Sequence, residues 1–274
     1  MTRLLPVLGA LGAVLLVTDC AAAEARSPPA RTAADRPPAP TLKAVDQVLV
    51  SAHSGGAERA RPGSLAAYEA VVTSGAEYAE FDVGRAAGGA LVAQHSAGRP
   101  AGPAALLARD VMRVLADGGV RGHVDLKGTG FERDAVELAL AAFGPGRFLV
   151  TTPDRESVAV IRAAFPAVSV GLSVGFGWGS VAADLRRLRW PWSFPLAAVR
   201  ASGAGWVAMN YRYARPAVLS RCVAAGLRVM VWTVNDDRRI GRYLSDPRVG
   251  ILVTDRPEYA VRRRVQPAGS TPSR

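Results

Sequence analysis

Cysteine is nearly absent: the 274-residue chain holds two, Cys20 and Cys222. Once a leader carrying Cys20 is removed, Cys222 stands alone. That excludes an internal disulfide and a thiolate metal cluster, and stability has to come from an apolar core. Lysine is as scarce. Lys43 and Lys127 are the only two, and the formal net charge of +11 is carried by arginine. The arginines are scattered, apart from the run Arg262-Arg263-Arg264, with no aromatic residues interleaved. This pattern argues against nucleic acid as a partner; it suits a small anionic substrate or a lipid headgroup, with peripheral contact to a membrane as a further reading. The apolar run Leu4 to Val17 falls short of the ~20 residues that a spanning helix needs. No Gly-x-Gly-x-x-Gly turn follows the first predicted strand, which argues against a dinucleotide-binding open sheet.

The N-terminus is laid out as a secretory signal. Arg3 precedes the apolar run, and small residues follow at Ala21-Ala22-Ala23 and Ala25. Residues 1–25 are therefore expected to be a signal peptide and the mature protein to be secreted or extracytoplasmic. Lipid anchoring through Cys20 is the alternative, and Asp19 fits a lipoprotein cleavage site poorly. Residues 26–44, rich in Pro, Ala and Arg, read as a linker, 45–264 as the folded domain and 265–274 as a tail. A monomer is the expected state.

Within the domain, short β-type runs alternate with helical stretches. Strands are predicted at Val48–Val50, Glu77–Val83, Gly122–Lys127, Arg147–Thr152, Val168–Ser173, Gly205–Asn210, Arg228–Asn235 and Gly250–Thr254. Helices are predicted at Ser64–Ser74, Ala104–Asp117, Glu132–Phe143, Glu156–Phe165, Pro216–Ala225 and Asp237–Ser245. The gap Gly84 to Gly89 is too short for a parallel crossover, so Leu91–His95 should return as an antiparallel hairpin arm. Repeated βα units over this length predict a (β/α)8 TIM barrel with an extra antiparallel hairpin after strand 2. Val174–Ser202, carrying Phe176, Trp178, Trp190, Trp192 and Phe194, is expected to be a long loop with a helix over the barrel mouth, its aromatics packed on the barrel.

Such barrels do their chemistry at the C-terminal ends of the strands. His53 ends the first predicted strand, Glu80 and Asp82 the second, and Asp125 and Lys127 the third. Glu80 and Asp82, two apart on a strand, project to one face, and like charges so placed call for a cation. With Asp125 they make three oxygen donors suited to a divalent metal, Mg²⁺ or Ca²⁺. His53 and His95 can exchange protons near neutral pH, as cleavage of a phosphodiester requires. Lys127 shares the face of Asp125 and can hold a phosphate oxygen. His123, one layer deeper, reads as a core histidine.

These residues resemble the glycerophosphodiester phosphodiesterase family, over about Val48 to Val261. His53-Ser54-Gly55 stands where that family has His-Arg-Gly, Leu65-Ala66-Ala67-Tyr68 resembles its first helix, and Glu80-Phe81-Asp82-Val83 with His95 matches its metal strand and second histidine. Asp125-Leu126-Lys127 stands where Glu-x-Lys is usual. The stretches from Gly226 to Asn235 and from Ile251 to Pro257 are similar to its last two strands. The resemblance implies a TIM-barrel hydrolase of glycerophosphodiesters with metal on Glu80, Asp82 and Asp125. It further implies His53 and His95 as acid–base pair, Lys127 on phosphate and Trp232 lining the substrate pocket. Three positions depart from the pattern: Ser54 replaces an arginine, Pro62-Gly63 a Glu-Asn pair, and Asp125 a glutamate. Arg59 or Arg61 could restore the missing positive charge. Two further readings stay open: a sphingomyelinase D-like phospholipase D acting on choline or ethanolamine lipids, and an inactive barrel that binds phosphate polymers or headgroups.

Overall fold

The computed structural model describes residues 47–93, 105–175 and 194–265. All of them lie within one compact unit, Pro40–Arg274. The expected signal peptide, the linker and the tail beyond Val265 fall outside the described residues, as do Phe176, Trp178, Trp190 and Trp192.

The described strands are β1 (Leu49–Ala52), β2 (Tyr78–Arg85), β3 (Leu91–Ala93), β4 (Arg121–Leu126), β5 (Phe148–Thr152), β6 (Ser169–Val174), β7 (Trp206–Asn210), β8 (Arg228–Trp232) and β9 (Ile251–Thr254). Parallel pairing runs β1-β2-β4-β5-β6-β7-β8-β9, and β9 returns to β1 through Leu49↔Ile251 to Ala52↔Thr254. The sheet is thus a closed eight-stranded barrel. β3 lies outside it, antiparallel to β2 with Val83 opposite Ala93, so the hairpin is where the short Gly84–Gly89 connection required it. The described helices are α1 (Leu65–Val71), α2 (Ala108–Asp117), α3 (Glu132–Phe143), α4 (Arg155–Ala164), α5 (Leu196–Ser202), α6 (Pro216–Ala224), α7 (Asp237–Leu244) and α8 (Pro257–Val265).

Each element forms for a local reason. In β2, Ala79, Phe81 and Val83 are fully buried in the layer between strands and helices, where Phe81 meets Tyr68 of α1 edge-on. The alternate residues, Tyr78, Glu80 and Asp82, therefore face the barrel interior. In α2, Ala108, Val111, Met112 and Leu115 recur at helical spacing and are all buried. Ser64, Asp154 and Asp236 cap α1, α4 and α7 by accepting from Ala67 N, Ser157 N and Arg239 N.

The barrel interior has its own small core of Tyr78, Leu149, Trp206, Ala208, Met230, Ile251 and Val253. At its N-terminal end the guanidinium of Arg121 lies 5.6 Å from the Tyr78 ring centre and that of Arg228 lies 5.4 Å from Trp206. The floor is thereby closed by aromatic rings under charged lids.

Several elements are shorter than the spacing suggested, among them α1, which ends at Val71 rather than Ser74, β8 and α2. β8 stops at Trp232 rather than Asn235, because Asn235 leaves the ladder to accept a bond from Asp255 N at 2.9 Å. α2 starts at Ala108 rather than Ala104, because Leu107 bridges Val92 and Leu106 O accepts from Ala93 N, tying this segment to β3. Of the loop aromatics, Phe194 is described: it is buried and meets Tyr213 edge-on, so for this residue the packing expectation holds.

Arg264 near the end of α8 clamps the barrel seam. Its guanidinium donates to Val48 O at 2.9 Å and to both Glu77 oxygens at 3.0 and 2.8 Å, while Glu77 Oε2 accepts from Val50 N at 2.8 Å. Removing it leaves a half-buried carboxylate and a strand-end carbonyl without their donor. Arg264→Ala is expected to lower the unfolding free energy by about 2 kcal/mol, the scale of hydrogen bonds to charged groups. Urea denaturation measures this, and a loss below about 0.5 kcal/mol, ordinary for a surface change, would show the clamp to be dispensable.

Candidate active site

Glu80 and Asp82 of β2 and Asp125 of β4 meet inside the C-terminal end of the barrel. The register sets Asp82 directly opposite Asp125. The three residues are 4%, 5% and 9% exposed, and one carboxylate oxygen from each lies within 4.8 Å of the others. Each has a defined support. Glu80 Oε2 accepts from Ser54 N at 2.8 Å, and Asp125 Oδ1 accepts from Thr151 Oγ1 at 2.6 Å. Lys127 Nζ pairs with Asp82 Oδ1 at 2.9 Å and also contacts Asp125 Oδ2.

The electrostatics follow from burial. Desolvation and the neighbouring Asp82 charge push the Glu80 carboxyl up to about 8. Desolvation likewise raises Asp125, against the pull of Lys127. Burial acts to lower the Lys127 pKa, but the charges of Asp125 and Asp82 outweigh it and hold the ammonium well above the ordinary lysine value. Three buried carboxylates with hard oxygen donors facing one point fit a divalent cation, and the set has neither the sulfur nor the imidazole that zinc favours.

His53 sits on a short turn, His53–Gly55, just past β1. Its Nδ1 lies 2.7 Å from Asp255 Oδ1. Asp255 follows β9, and its other oxygen accepts from Asn235 Nδ2. Burial acts to lower the His53 pKa, but the Asp255 bond and the charges of Glu80, Asp255 and Asp82 outweigh it and raise it to about 9. Asp255 is held below the ordinary carboxylate value: burial acts to raise it, and the His53 bond and charge overcome that. Ser54, next in the chain, has φ of 48°, the one positive value among the described non-glycine residues. That strained geometry aims its amide at Glu80. At this position the backbone N–H serves the site.

The remaining expected residues divide. His123 is buried as expected, with Nδ1 3.1 Å from Ser51 Oγ and Nε2 3.0 Å from Thr151 Oγ1; desolvation and the Lys127 charge push it down to about 3. Trp232 ends β8 and packs against the interior core. Its ring lies so close to Gly175 that a Cβ there would come within 2.3 Å of Cη2. Its indole Nε1 is buried without a hydrogen-bond partner among the described residues. Arg59 does not supply the missing positive charge: it is turned to Glu258 and to Thr73 Oγ1. His95 lies outside the described residues, two positions beyond β3. Asp255 and Asn235 were not anticipated, although the strand-end rule applied to β9 points to Asp255.

No protein-family model matches the chain, and no curated protein matches it significantly. Solved structures do. A glycerophosphodiester phosphodiesterase of Parabacteroides distasonis superposes with a TM-score of 0.63 at 18% identity over 81% of this chain and 99% of that one. An Oleispira antarctica phosphodiesterase, solved with its product sn-glycerol-3-phosphate, gives 0.63 at 17% over 80% and 98%. A glycerophosphodiester phosphodiesterase of Agrobacterium tumefaciens gives 0.60 at 18% over 80% and 100%. At these identities the likeness establishes the barrel fold and leaves the activity to be argued from the residues.

The raised carboxyl and imidazole set a pH dependence for the metal-free protein. Folding raises Glu80 from 4.5 to about 8 and His53 from 6.5 to about 9, so the folded state binds extra protons across both windows. Stability from these groups is full below the lower values and lost as pH rises through the upper ones. Buried His123, lowered from 6.5 to about 3, acts in the opposite sense up to pH 6.5, so melting of EDTA-treated protein is expected to move to lower temperature between pH 6.5 and pH 9, and Glu80→Gln to flatten the fall. A melting temperature that rises across that range would contradict the burial of these charges.

Proposed function

We propose that this protein is a metal-dependent glycerophosphodiester phosphodiesterase, releasing an alcohol and glycerol phosphate. The observation that carries the reading is the convergence of Glu80, Asp82 and Asp125 on one point beside Lys127 and His53, at the end of the barrel where such folds do chemistry. The shared fold with phosphodiesterases, one of them holding sn-glycerol-3-phosphate, supports it. So does the proposed signal peptide, since it would bring the enzyme to extracytoplasmic diesters.

Glu80, Asp82 and Asp125 would hold Mg²⁺ or Ca²⁺, which when bound supplies charge stabilisation at the phosphoryl oxygens and acidifies an attacking hydroxyl. Lys127 places an ammonium at the same point and binds a phosphoryl oxygen as a compact charge. The Asp255 bond commits Nδ1 of His53, so Nε2 is the nitrogen left to exchange a proton with the substrate. His95, two positions beyond β3 and outside the described residues, is the proposed second proton-transfer group. The interior walls differ across the barrel. Ser51, Glu80, Asp82, His123, Asp125 and Thr151 lie on β1, β2, β4 and β5, whereas Ala208, Met230 and Val253 lie on β7, β8 and β9. Phosphate therefore belongs to the first side, and the carbon skeleton of the alcohol lies against Trp232 on the second.

A phospholipase D-type activity on choline or ethanolamine lipids is the second reading, favoured by the Asp125-x-Lys127 pair and by Ser54 in place of arginine. A panel of glycerophosphocholine, lysophospholipid and intact lipid, with phosphorus detection of products, separates the two by which is cleaved fastest. Turnover should stop on chelation and return with Mg²⁺ or Ca²⁺. His53→Ala is expected to lose on the order of 10²–10⁴ in kcat, the usual acid–base contribution. Undiminished turnover by that variant, or by the chelated protein, would refute the assignment.

A further inference from the structure

We infer that His123 is a positioning residue: with Ser51 and Thr151 it forms a directed hydrogen-bond chain that orients Asp125 to receive a divalent cation. The inference rests on the metal reading of Glu80, Asp82 and Asp125 above. Thr151 Oγ1 lies 2.6 Å from Asp125 Oδ1, His123 Nε2 lies 3.0 Å from Thr151 Oγ1, and Ser51 Oγ lies 3.1 Å from His123 Nδ1. All three supporting residues are buried; His123 and Thr151 come from the paired strands β4 and β5, and Ser51 from β1, one strand away across β2.

The donor inventory sets the direction of the chain. Asp125 must be ionised to take a cation, so Thr151 spends its single hydroxyl proton on Oδ1. Thr151 Oγ1 can then only accept from His123, which puts the imidazole proton on Nε2. The bare Nδ1 is left to accept from Ser51 Oγ. Both direct partners of the ring are hydroxyls, Ser51 Oγ and Thr151 Oγ1. One oxygen of Asp125 is thereby held by Thr151 and the other faces Lys127, which restricts rotation of the carboxylate. A buried polar network of this kind is costlier than an apolar filling unless every member is satisfied. Here each member is, and the chain ends on a proposed metal ligand. Partners one bond removed from a metal commonly change its affinity 10–100-fold.

Two measurements test this. Nitrogen-15 imidazole spectra of the Mg²⁺-loaded protein are tractable because the chain has three histidines. His123 is expected as the neutral Nε2–H tautomer; a neutral Nδ1–H ring or a cation overturns the chain. Calorimetric titration with Mg²⁺ and with Ca²⁺ is expected to show Thr151→Val binding about 10–100-fold more weakly, with Thr151→Ser recovering most of the loss. His123→Gln can accept from Ser51 and donate to Thr151, and is expected to bind near the wild-type level, whereas His123→Leu is not. If Thr151→Val and His123→Leu bind as tightly as wild type, the positioning role is wrong while the metal site stands. A wild type that takes up neither ion overturns the metal reading itself, and the role with it.

Discussion

Like charges buried together need a counter-charge, and this molecule is arranged around that requirement. Glu80, Asp82 and Asp125 are drawn out of water at the barrel mouth, where their mutual repulsion is stronger than in bulk solvent. Lys127 answers part of it by pairing with two of the three. Ser54 N and Thr151 Oγ1 add donors to the outer two carboxylates. The raised pKa of Glu80 shows that these supports do not balance the site. A site so built is suited to an added cation.

The barrel makes such a concentration affordable in conformational terms. The parallel register of β2 and β4 sets Asp82 beside Asp125 without any long side chain having to search for its place. The opposite end is sealed by Tyr78 and Trp206 beneath Arg121 and Arg228, and the Arg264 clamp joins the first strand to the last helix. Apolar burial and ion pairing at the floor thus offset the electrostatic strain at the mouth. The interior is divided into a polar and an apolar wall, which under the proposed function would face the charged and the carbon-rich parts of a phosphodiester.

Much of this was legible in the chain. The alternation in Tyr78-Ala79-Glu80-Phe81-Asp82-Val83 is a local property of strands, so it fixes which residues face inward. The short hairpin connection forbade a parallel crossover, and β3 is antiparallel. Lys127 and Asp125 could be paired in advance because they are two residues apart on one strand. Asp255 could not be paired with His53 in that way, since 202 residues separate them. Its place after β9 marked it as a rim residue, but the strand-end rule says where a side chain lies and not what it meets. Arg59 illustrates the converse: it lies in the right loop, yet Glu258 of α8 competes for it and wins.

The amino-acid sequence by itself determined the succession of strands and helices, the inward or outward sense of each strand residue, and the supply of carboxylates, imidazoles and one ammonium at the strand ends. Those properties depend on neighbours a few residues away, through backbone periodicity and side-chain chemistry. Only the tertiary structure decided that His53 bonds Asp255, that His123 reaches Asp125 through Thr151, and that Ser54 serves Glu80 with its amide. Barrel closure brings those distant groups within hydrogen-bond reach, and hydrogen bonds discriminate over tenths of an ångström, a scale that no local pattern encodes.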